Sequence, residues 1–160
     1  MLPKRKPTAI PHYDYSQPGA YFVTLCVAER RPILGKIDPS AQVVLSPIGK
    51  IVSDVWHSLP QRFPSLDSIS QSVFVVMPDH IHGILQITAG GASPSPTLHQ
   101  ILGAFKSITT IETNRLLGTP GQKLWQRSAY EHILRNQQDF DEAAGYIAGN
   151  PLRRPRRSPA

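Results

Sequence analysis

The chain has little cysteine and no long apolar run. Its one cysteine, Cys26, excludes a disulfide within the chain and a zinc site built from cysteines. Cys26 lies in the apolar stretch YFVTLCVA, where a small buried side chain is typical. No run approaches the roughly 18 apolar residues of a membrane span. The basic start MLPKRKP is not followed by the apolar core of a signal peptide. We therefore expect a soluble, intracellular protein without a membrane partner.

Excess charge is absent from the body of the chain. The formal net charge is +6, and seven of the 17 basic residues lie in two proline-containing arms: Lys4, Arg5, Lys6, Arg153, Arg154, Arg156 and Arg157. Without them, ten basic residues remain against 11 acidic ones. Such arms are often solvated tails, but they also suit contacts to the phosphates of DNA. We divide the chain into an arm at 1–10, one domain at 11–152 and a tail at 153–160.

Hydrophobic periodicity predicts strands and helices around one core, which is what 160 residues can bury. Strands are predicted at 20–28, 69–77, 80–88 and 124–134, with a Pro78-Asp79 turn between the middle two. Helices are predicted from Ser46 to Pro60, from Thr97 to Gly118, and from Asn136 to Asn150-Pro151. This order is that of an α+β, ferredoxin-like split βαβ sandwich. We expect a four-stranded antiparallel sheet, two helices on one face and an extra C-terminal helix.

A histidine pair lies in the third predicted strand. Because strand residues alternate between faces, His80 and His82 share one face while the apolar Ile81 points to the other, into the core. Two neighbouring neutral imidazoles offer two nitrogen ligands to a divalent cation, and such a cation assists chemistry on phosphate. The alternative is a pair of exposed strand histidines beside a turn, since this spacing is common by chance.

A tyrosine and an amide share one face of the last predicted helix. Tyr146 and Asn150 are four residues apart, so they lie one turn from each other. A phenol can act as a nucleophile toward an activated phosphate, and an amide oxygen can complete a metal shell. A helical tyrosine is more often a packing residue, and asparagine before proline is a common helix terminator. Gly145 and Gly149 weaken the helix around the tyrosine without an evident structural benefit.

Four segments together resemble the REP-associated tyrosine transposases, relatives of the single-tyrosine insertion-sequence transposases in the HUH endonuclease superfamily. They are YDYSQPGAYFVTLCVAERRPILG, VVMPDHIHGIL, AFKSITT and WQRSAYEHILRNQQDF with the later YIAGNP, and they span about residues 11 to 152. The resemblance implies that His80, His82 and Asn150 hold Mg²⁺ or Mn²⁺. It implies that Tyr146 attacks DNA to leave a 5′-phosphotyrosine and a free 3′-hydroxyl.

The same resemblance implies a cytoplasmic, nucleoid-associated enzyme, as a monomer or homodimer, that cuts single-stranded DNA near palindromic hairpins. Two other functions remain open. A replication-initiator or relaxase-like nickase would share the histidine pair and the tyrosine. A domesticated DNA-binding protein would keep the fold without cutting.

Further residues are weaker candidates for contacts around such a site. Glu131 and His132 are candidates for orienting the metal ligands, or form an ordinary pair at a strand edge. Trp125 and Tyr130 are candidates for stacking a base, although core packing is the more common role. Lys106 is a candidate for a phosphate contact, or a lysine whose stem covers apolar surface.

Overall fold

The computed structural model describes residues 19–67, 73–88 and 96–149. The two basic arms, Asn150, and residues 69–72 of the second predicted strand lie outside these ranges. The described strands are β1 (Gly19–Cys26), β2 (Gly35–Ile37), β3 (Val43–Leu45), β4 (Phe74–Met77), β5 (His80–Ile87) and β6 (Tyr130–Leu134). The described helices are α1 (Pro47–Arg62), α2 (Leu98–Leu117) and α3 (Gln137–Gly149).

Four strands form one antiparallel sheet in the order β4-β5-β1-β6. The strands next to each other in the sheet are therefore not all next to each other in the chain, as the split βαβ order requires. In the register, Thr24 of β1 lies between His82 of β5 and Tyr130 of β6. The predicted α+β architecture is confirmed.

Helices α1 and α2 cover one face of the sheet and form the main core with it. The fully buried Trp56 of α1 and Phe105 of α2 pack edge to face, with ring centroids 5.6 Å apart. Tyr21, Val23 and Leu25, which alternate along β1, belong to this core. Burial of such large apolar side chains is the main force that holds the two helices on the sheet.

Helix α3 packs on the opposite face and makes a smaller apolar layer. Ile147 is its one buried residue, and it contacts a cluster that includes Ala20, Ile84 and Leu134 of the sheet. Phe140, Ala143 and Ala144 pack beside it. The helix begins as predicted, because the Asn136 side chain accepts a hydrogen bond of 2.8 Å from the backbone N–H of Asp139.

Gly83 fits the sheet to α1. A Cβ atom at this position would overlap Cζ2 of the Trp56 ring. The glycine in the Pro-Asp-His-x-His-Gly run therefore has a packing role, because it lets the tryptophan approach the β5 backbone.

Three details differ from the predicted elements. A two-stranded hairpin, β2-β3, precedes α1 and was not predicted. The strand predicted at 124–134 is regular only from Tyr130, because the consecutive residues Leu124 and Trp125 are both buried and do not alternate between faces. Helix α1 passes through Pro60 and ends at Arg62. This is possible because a proline in the last turn removes only one of the last helical hydrogen bonds.

The other helix boundaries agree with the sequence. Thr97 and Gln100 form a reciprocal capping box at the start of α2, and Gly118 ends it with a left-handed φ of 67°. Ser46 caps α1 and Pro47 begins it.

Candidate active site

Strand β5 places the two histidines on the face that carries α3, since Ile81 and Leu85 belong to the core on the other face. The His82 residue is 6% exposed, and the His80 side chain is 18% exposed. Their ring centroids are 4.7 Å apart. The predicted face of the pair is confirmed, but both rings are more buried than the alternative of two exposed strand histidines required.

Each histidine is oriented through its Nδ1 atom. His80 Nδ1 lies 2.6 Å from Oδ1 of Asp79, and His82 Nδ1 lies 2.8 Å from the hydroxyl of Thr24. Because a carboxylate can only accept, His80 donates from Nδ1, and Nε2 is the nitrogen that this contact leaves for another partner. This is the arrangement by which protein partners fix the tautomer of metal-binding histidines.

The charge state of His82 also suits a metal ligand. Desolvation by burial, followed by the nearby charges of His80 and Arg30, lowers the pKa of His82 to about 3. The ring is therefore neutral at physiological pH. A neutral imidazole has a lone pair to offer, whereas an imidazolium has none.

Asp79 is held in turn by Arg30. Arg30 Nε donates to Oδ2 of Asp79 over 3.0 Å, and the backbone N–H of Val27 donates to the Asp79 carbonyl over 2.9 Å. The hydrogen bond from His80, together with that from Arg30, outweighs desolvation and lowers the pKa of Asp79 to about 2. The carboxylate is therefore ionised over the whole physiological range.

The turn that carries Arg30 has an unusual backbone. Glu29 and Arg30 have φ angles of 60° and 53°, in the left-handed region that side chains other than glycine rarely adopt. Each such residue costs on the order of 1–2 kcal/mol. Strain of this kind collects where a side chain must be held in one direction, and here it directs Arg30 toward Asp79.

Tyr146 of α3 lies over the same face as the histidines. Its ring centroid is 5.3 Å from that of His82 and 6.0 Å from that of Phe22. The residue is 37% exposed, so its ring borders both the site and solvent. His80, His82 and Tyr146 therefore lie together on the face of the sheet opposite α1 and α2.

The weaker candidates separate into two groups. Tyr130 joins the site face, where it is 43% exposed and lies edge to face with Phe22 at 6.1 Å. His132 is exposed and paired with Phe22 across the sheet, on that same face. The stacking of a base on Tyr130 stays a prediction.

Glu131 and Trp125 belong to the other face. Alternation along β6 turns Glu131 toward α2, where its carboxylate lies 3.0 Å from Nε2 of His99, so it cannot orient the metal ligands. Trp125 is 3% exposed, and its Nε1 donates to the Thr109 hydroxyl over 2.8 Å, so it packs in the core and does not stack bases.

Lys106 also lies on the helical side. Its Nζ donates to the carbonyl of Arg127 over 3.0 Å. Desolvation, followed by the charge of Lys123, lowers the pKa of Lys106.

Sequence reasoning missed Thr24, Asp79, Arg30 and Phe22. Asp79 could have been found from its place beside His80, because a carboxylate next to a candidate metal-binding histidine is a common orienting partner. Thr24 and Phe22 follow from the alternation of β1 once its register against β5 is known. Arg30 gives no signal in the sequence, because its role depends on a left-handed turn.

Within the described residues, no group of three His, Cys, Asp or Glu side chains is placed to hold a metal ion. The histidine pair supplies two imidazole nitrogens on one face, and imidazole nitrogen is a common ligand of divalent cations. Asn150, the third ligand implied by the resemblance, lies outside the described residues. The basic arm residues also lie outside them.

Comparison with known proteins agrees with the observed fold. The chain is similar to the solved structure of a REP-associated tyrosine transposase bound to a REP hairpin, with a TM-score of 0.57 and 19% sequence identity. The match covers 90% of this chain and 73% of the transposase chain. The chain shares the fold of that transposase. At this identity the likeness concerns the fold, so the chemistry must be argued from the residues of the site.

Sequence comparison adds one relative. An uncharacterized protein of Haemophilus influenzae is 28% identical over 165 residues, covering 92% of this chain and 88% of the relative. No protein-family model matches the chain. Among the helices described, none has the length and apolar character needed to cross a membrane.

Proposed function

We propose that this protein is a metal-dependent single-strand DNA endonuclease and strand transferase of the HUH single-tyrosine transposase type. The observation that carries the proposal is the position of Tyr146, whose ring lies 5.3 Å from His82 on the face that also holds His80. A candidate nucleophile, two imidazole rings and an orienting carboxylate therefore lie together. No packing requirement explains that combination.

The residues of the chain fit a divalent cation, Mg²⁺ or Mn²⁺. His80 and His82 would hold it through Nε2, because Nδ1 of each ring is bonded to Asp79 or Thr24. Asn150 would add an amide oxygen. A bound divalent cation withdraws charge from a phosphate oxygen and makes the phosphorus a better electrophile.

Tyr146 would perform the covalent step. Its Oη forms a bond to the phosphorus of the DNA backbone while the bond from phosphorus to the 3′-oxygen breaks. The phenol loses its proton to solvent, and the departing 3′-oxygen takes one up. The products are a 5′-phosphotyrosine and a free 3′-hydroxyl, and attack by a 3′-hydroxyl reverses the reaction and joins the strands.

The proposed substrate is single-stranded DNA beside a palindromic hairpin. The transposase of the same fold is bound to a REP hairpin, which supports this substrate class. The exposed ring of Tyr130 beside Phe22 offers a stacking surface for an unpaired base next to the site.

Replacement of the nucleophile tests the proposal. Tyr146→Phe removes one oxygen and keeps the ring contacts to His82 and Phe22, so folding and hairpin binding should persist while strand cleavage disappears. The measurement is incubation with end-labelled hairpin DNA and Mn²⁺, followed by a denaturing gel that resolves the covalent protein–DNA adduct. Tyr130→Phe is the matched control and should retain the adduct.

Two outcomes would contradict the proposal. An adduct that forms in Tyr146→Phe but not in Tyr130→Phe would move the nucleophile to the other tyrosine. Hairpin binding without any adduct in the unmodified protein would favour a DNA-binding protein that does not cut.

A further inference from the structure

A loop rich in positive charge is tied to the strand that leads into the active site. The backbone N–H of Ala28 donates to the Leu124 carbonyl over 2.8 Å, and that of Gln126 donates to the Cys26 carbonyl over 2.8 Å. Residues 124–126 therefore run beside the end of β1. Two residues after Ala28, Arg30 contacts Asp79 next to His80.

Five cationic residues follow this connection from the site to the helical side, and we call them the basic track: Arg30, Arg31, Lys123, Arg127 and Lys106. Arg30 and Arg31 are adjacent, with Cα atoms about 3.8 Å apart. Arg31 Nη2 donates to the Lys123 carbonyl over 3.3 Å, and Lys106 Nζ donates to the Arg127 carbonyl over 3.0 Å. Lys106, Lys123 and Arg127 line a shallow cavity of about 270 Å³.

Most of the charge on the basic track has no acidic partner. In the part of the chain that the structure describes, the only ion pair of the track joins Arg30 to Asp79. The buried carboxylate of Glu131 pairs with His99 and also attracts the charge of Lys106, so Arg31, Lys123 and Arg127 are the track residues without an acidic contact among the described residues. Because like charges near one another repel, an arrangement of several unpaired cations is stabilised by a bound anion.

The shape of the basic track favours an extended polyanion over a small one. A single phosphate would occupy only the cavity, whereas the track continues through Arg31 to Arg30, beside the proposed metal ligands. The body of the chain is close to neutral, with ten basic and 11 acidic residues outside the arms. The local excess is therefore a property of this surface.

We propose that the basic track binds successive backbone phosphates of single-stranded DNA that extends from the active site. The inference rests on the proposed function, which places the cleaved phosphate of the DNA at the active site. The DNA on one side of that phosphate would then follow the protein surface along the basic track. Lys106, Lys123 and Arg127 would form its far end.

Salt dependence of binding tests the basic track. The variant is K123Q/R127Q, because both side chains are exposed and their carbonyls, which accept the bonds from Arg31 and Lys106, are retained. On a single strand, each phosphate that is no longer neutralised lowers the log–log salt slope by about 0.7, so we expect a decrease of about 1.4. The probe is a fluorescent deoxythymidine oligonucleotide of about 16 nucleotides, followed by anisotropy.

Three matched measurements define the result. K36Q/K50Q removes the same charge from exposed positions of β2 and α1, and it should leave the slope unchanged. Glu29→Gln removes the exposed carboxylate in the turn of Arg30 and should tighten binding. An oligonucleotide of about 4 nucleotides, too short to follow the track, should respond less to K123Q/R127Q.

An unchanged salt slope in K123Q/R127Q, or an equal decrease of the slope in K36Q/K50Q, would overturn the proposal that the basic track binds DNA phosphates. The proposed function fails separately, through the absence of a Tyr146 adduct with hairpin DNA. A missing adduct with the expected slope change would leave a single-strand binding surface without the chemistry. An adduct with unchanged slopes would leave the chemistry without the track.

Discussion

At the scale of single residues, the site depends on which nitrogen each histidine leaves open. Asp79 is hydrogen-bonded to Nδ1 of His80, and Thr24 is hydrogen-bonded to Nδ1 of His82, so Nε2 is the nitrogen of each ring that these contacts leave for a ligand. The two partners come from different elements, the β4–β5 turn and β1. The orientation of the pair therefore depends on the register between β1 and β5 as well as on the histidines themselves.

Asp79 can be tested apart from the ligands. Asp79→Asn removes the charge that fixes the His80 tautomer and breaks the ion pair with Arg30, so Mn²⁺ affinity should fall by about 10–100-fold. Titration calorimetry of Mn²⁺ into the protein measures this, and circular dichroism checks that the fold persists. Asp54→Asn, at an exposed position of α1, is the control. Unchanged Mn²⁺ affinity in Asp79→Asn would show that the carboxylate does not orient the ligand.

At the scale of secondary-structure elements, two glycines have opposite roles. Gly83 of β5 lies against Trp56, whereas a Cβ at Gly145 of α3 would meet no atom within 4 Å. The first glycine is required by the packing between the sheet and α1. The second lowers the stability of the helix that carries Tyr146.

Substitution of both glycines by alanine should separate these roles. Gly83→Ala forces Trp56 to move and should lower the free energy of unfolding by about 1–3 kcal/mol. Gly145→Ala should raise it by up to about 1 kcal/mol, because the open position gains helix propensity. Urea unfolding followed by tryptophan fluorescence measures both. Equal effects of the two substitutions would refute the difference in packing.

The sequence is informative where a pattern is local. The caps at Ser46, Thr97 and Asn136 and the alternation around His80 and His82 predict α1, α2, α3 and the face of the pair. The hairpin β2-β3 was missed because its strands are only three residues each and leave Ile37 and Val44 exposed. Glu131 was misplaced because the face of an edge strand depends on its register with β1, which is a non-local contact.

At the scale of the whole molecule, the two faces of the sheet differ in kind. The helical face holds the large core with Trp56 and Phe105, while the other face holds a small apolar layer under α3 beside the polar site. Stability therefore depends mainly on one face and the proposed chemistry on the other. His82 affects both stability and the proposed chemistry, because it is a titratable group that is buried in the sheet beside Tyr146.

The pH dependence of stability should reveal His82. Its pKa is lowered to about 3 in the folded chain from 6.5, so the unfolded chain binds the extra proton more readily. The free energy of unfolding should be fully retained above about pH 6.5 and should fall by about 1.4 kcal/mol per pH unit as the pH drops toward 3.

The measurement is urea unfolding of metal-free protein, in the presence of a chelator, between these pH values. His82→Gln should lose that slope, whereas His57→Gln, at an exposed position of α1, should keep it. Asp79 adds a further loss that begins near pH 3.8 and continues toward pH 2, because its pKa is lowered to about 2 from 3.8, so the His82 slope is read between pH 6.5 and about 4.5. A slope that persists in His82→Gln would assign the proton to another group.

The strict alternation of β5 has an evolutionary consequence. Insertion or deletion of one residue in this strand would exchange its faces, so that the histidines would enter the core and Ile81 would enter the site. Folding and the proposed catalysis would fail in the same event, so selection would not meet an intermediate that folds but has lost only the site. Descendants that lose cleavage should therefore arise by substitution of His80, His82 or Tyr146, with the length of the strand preserved.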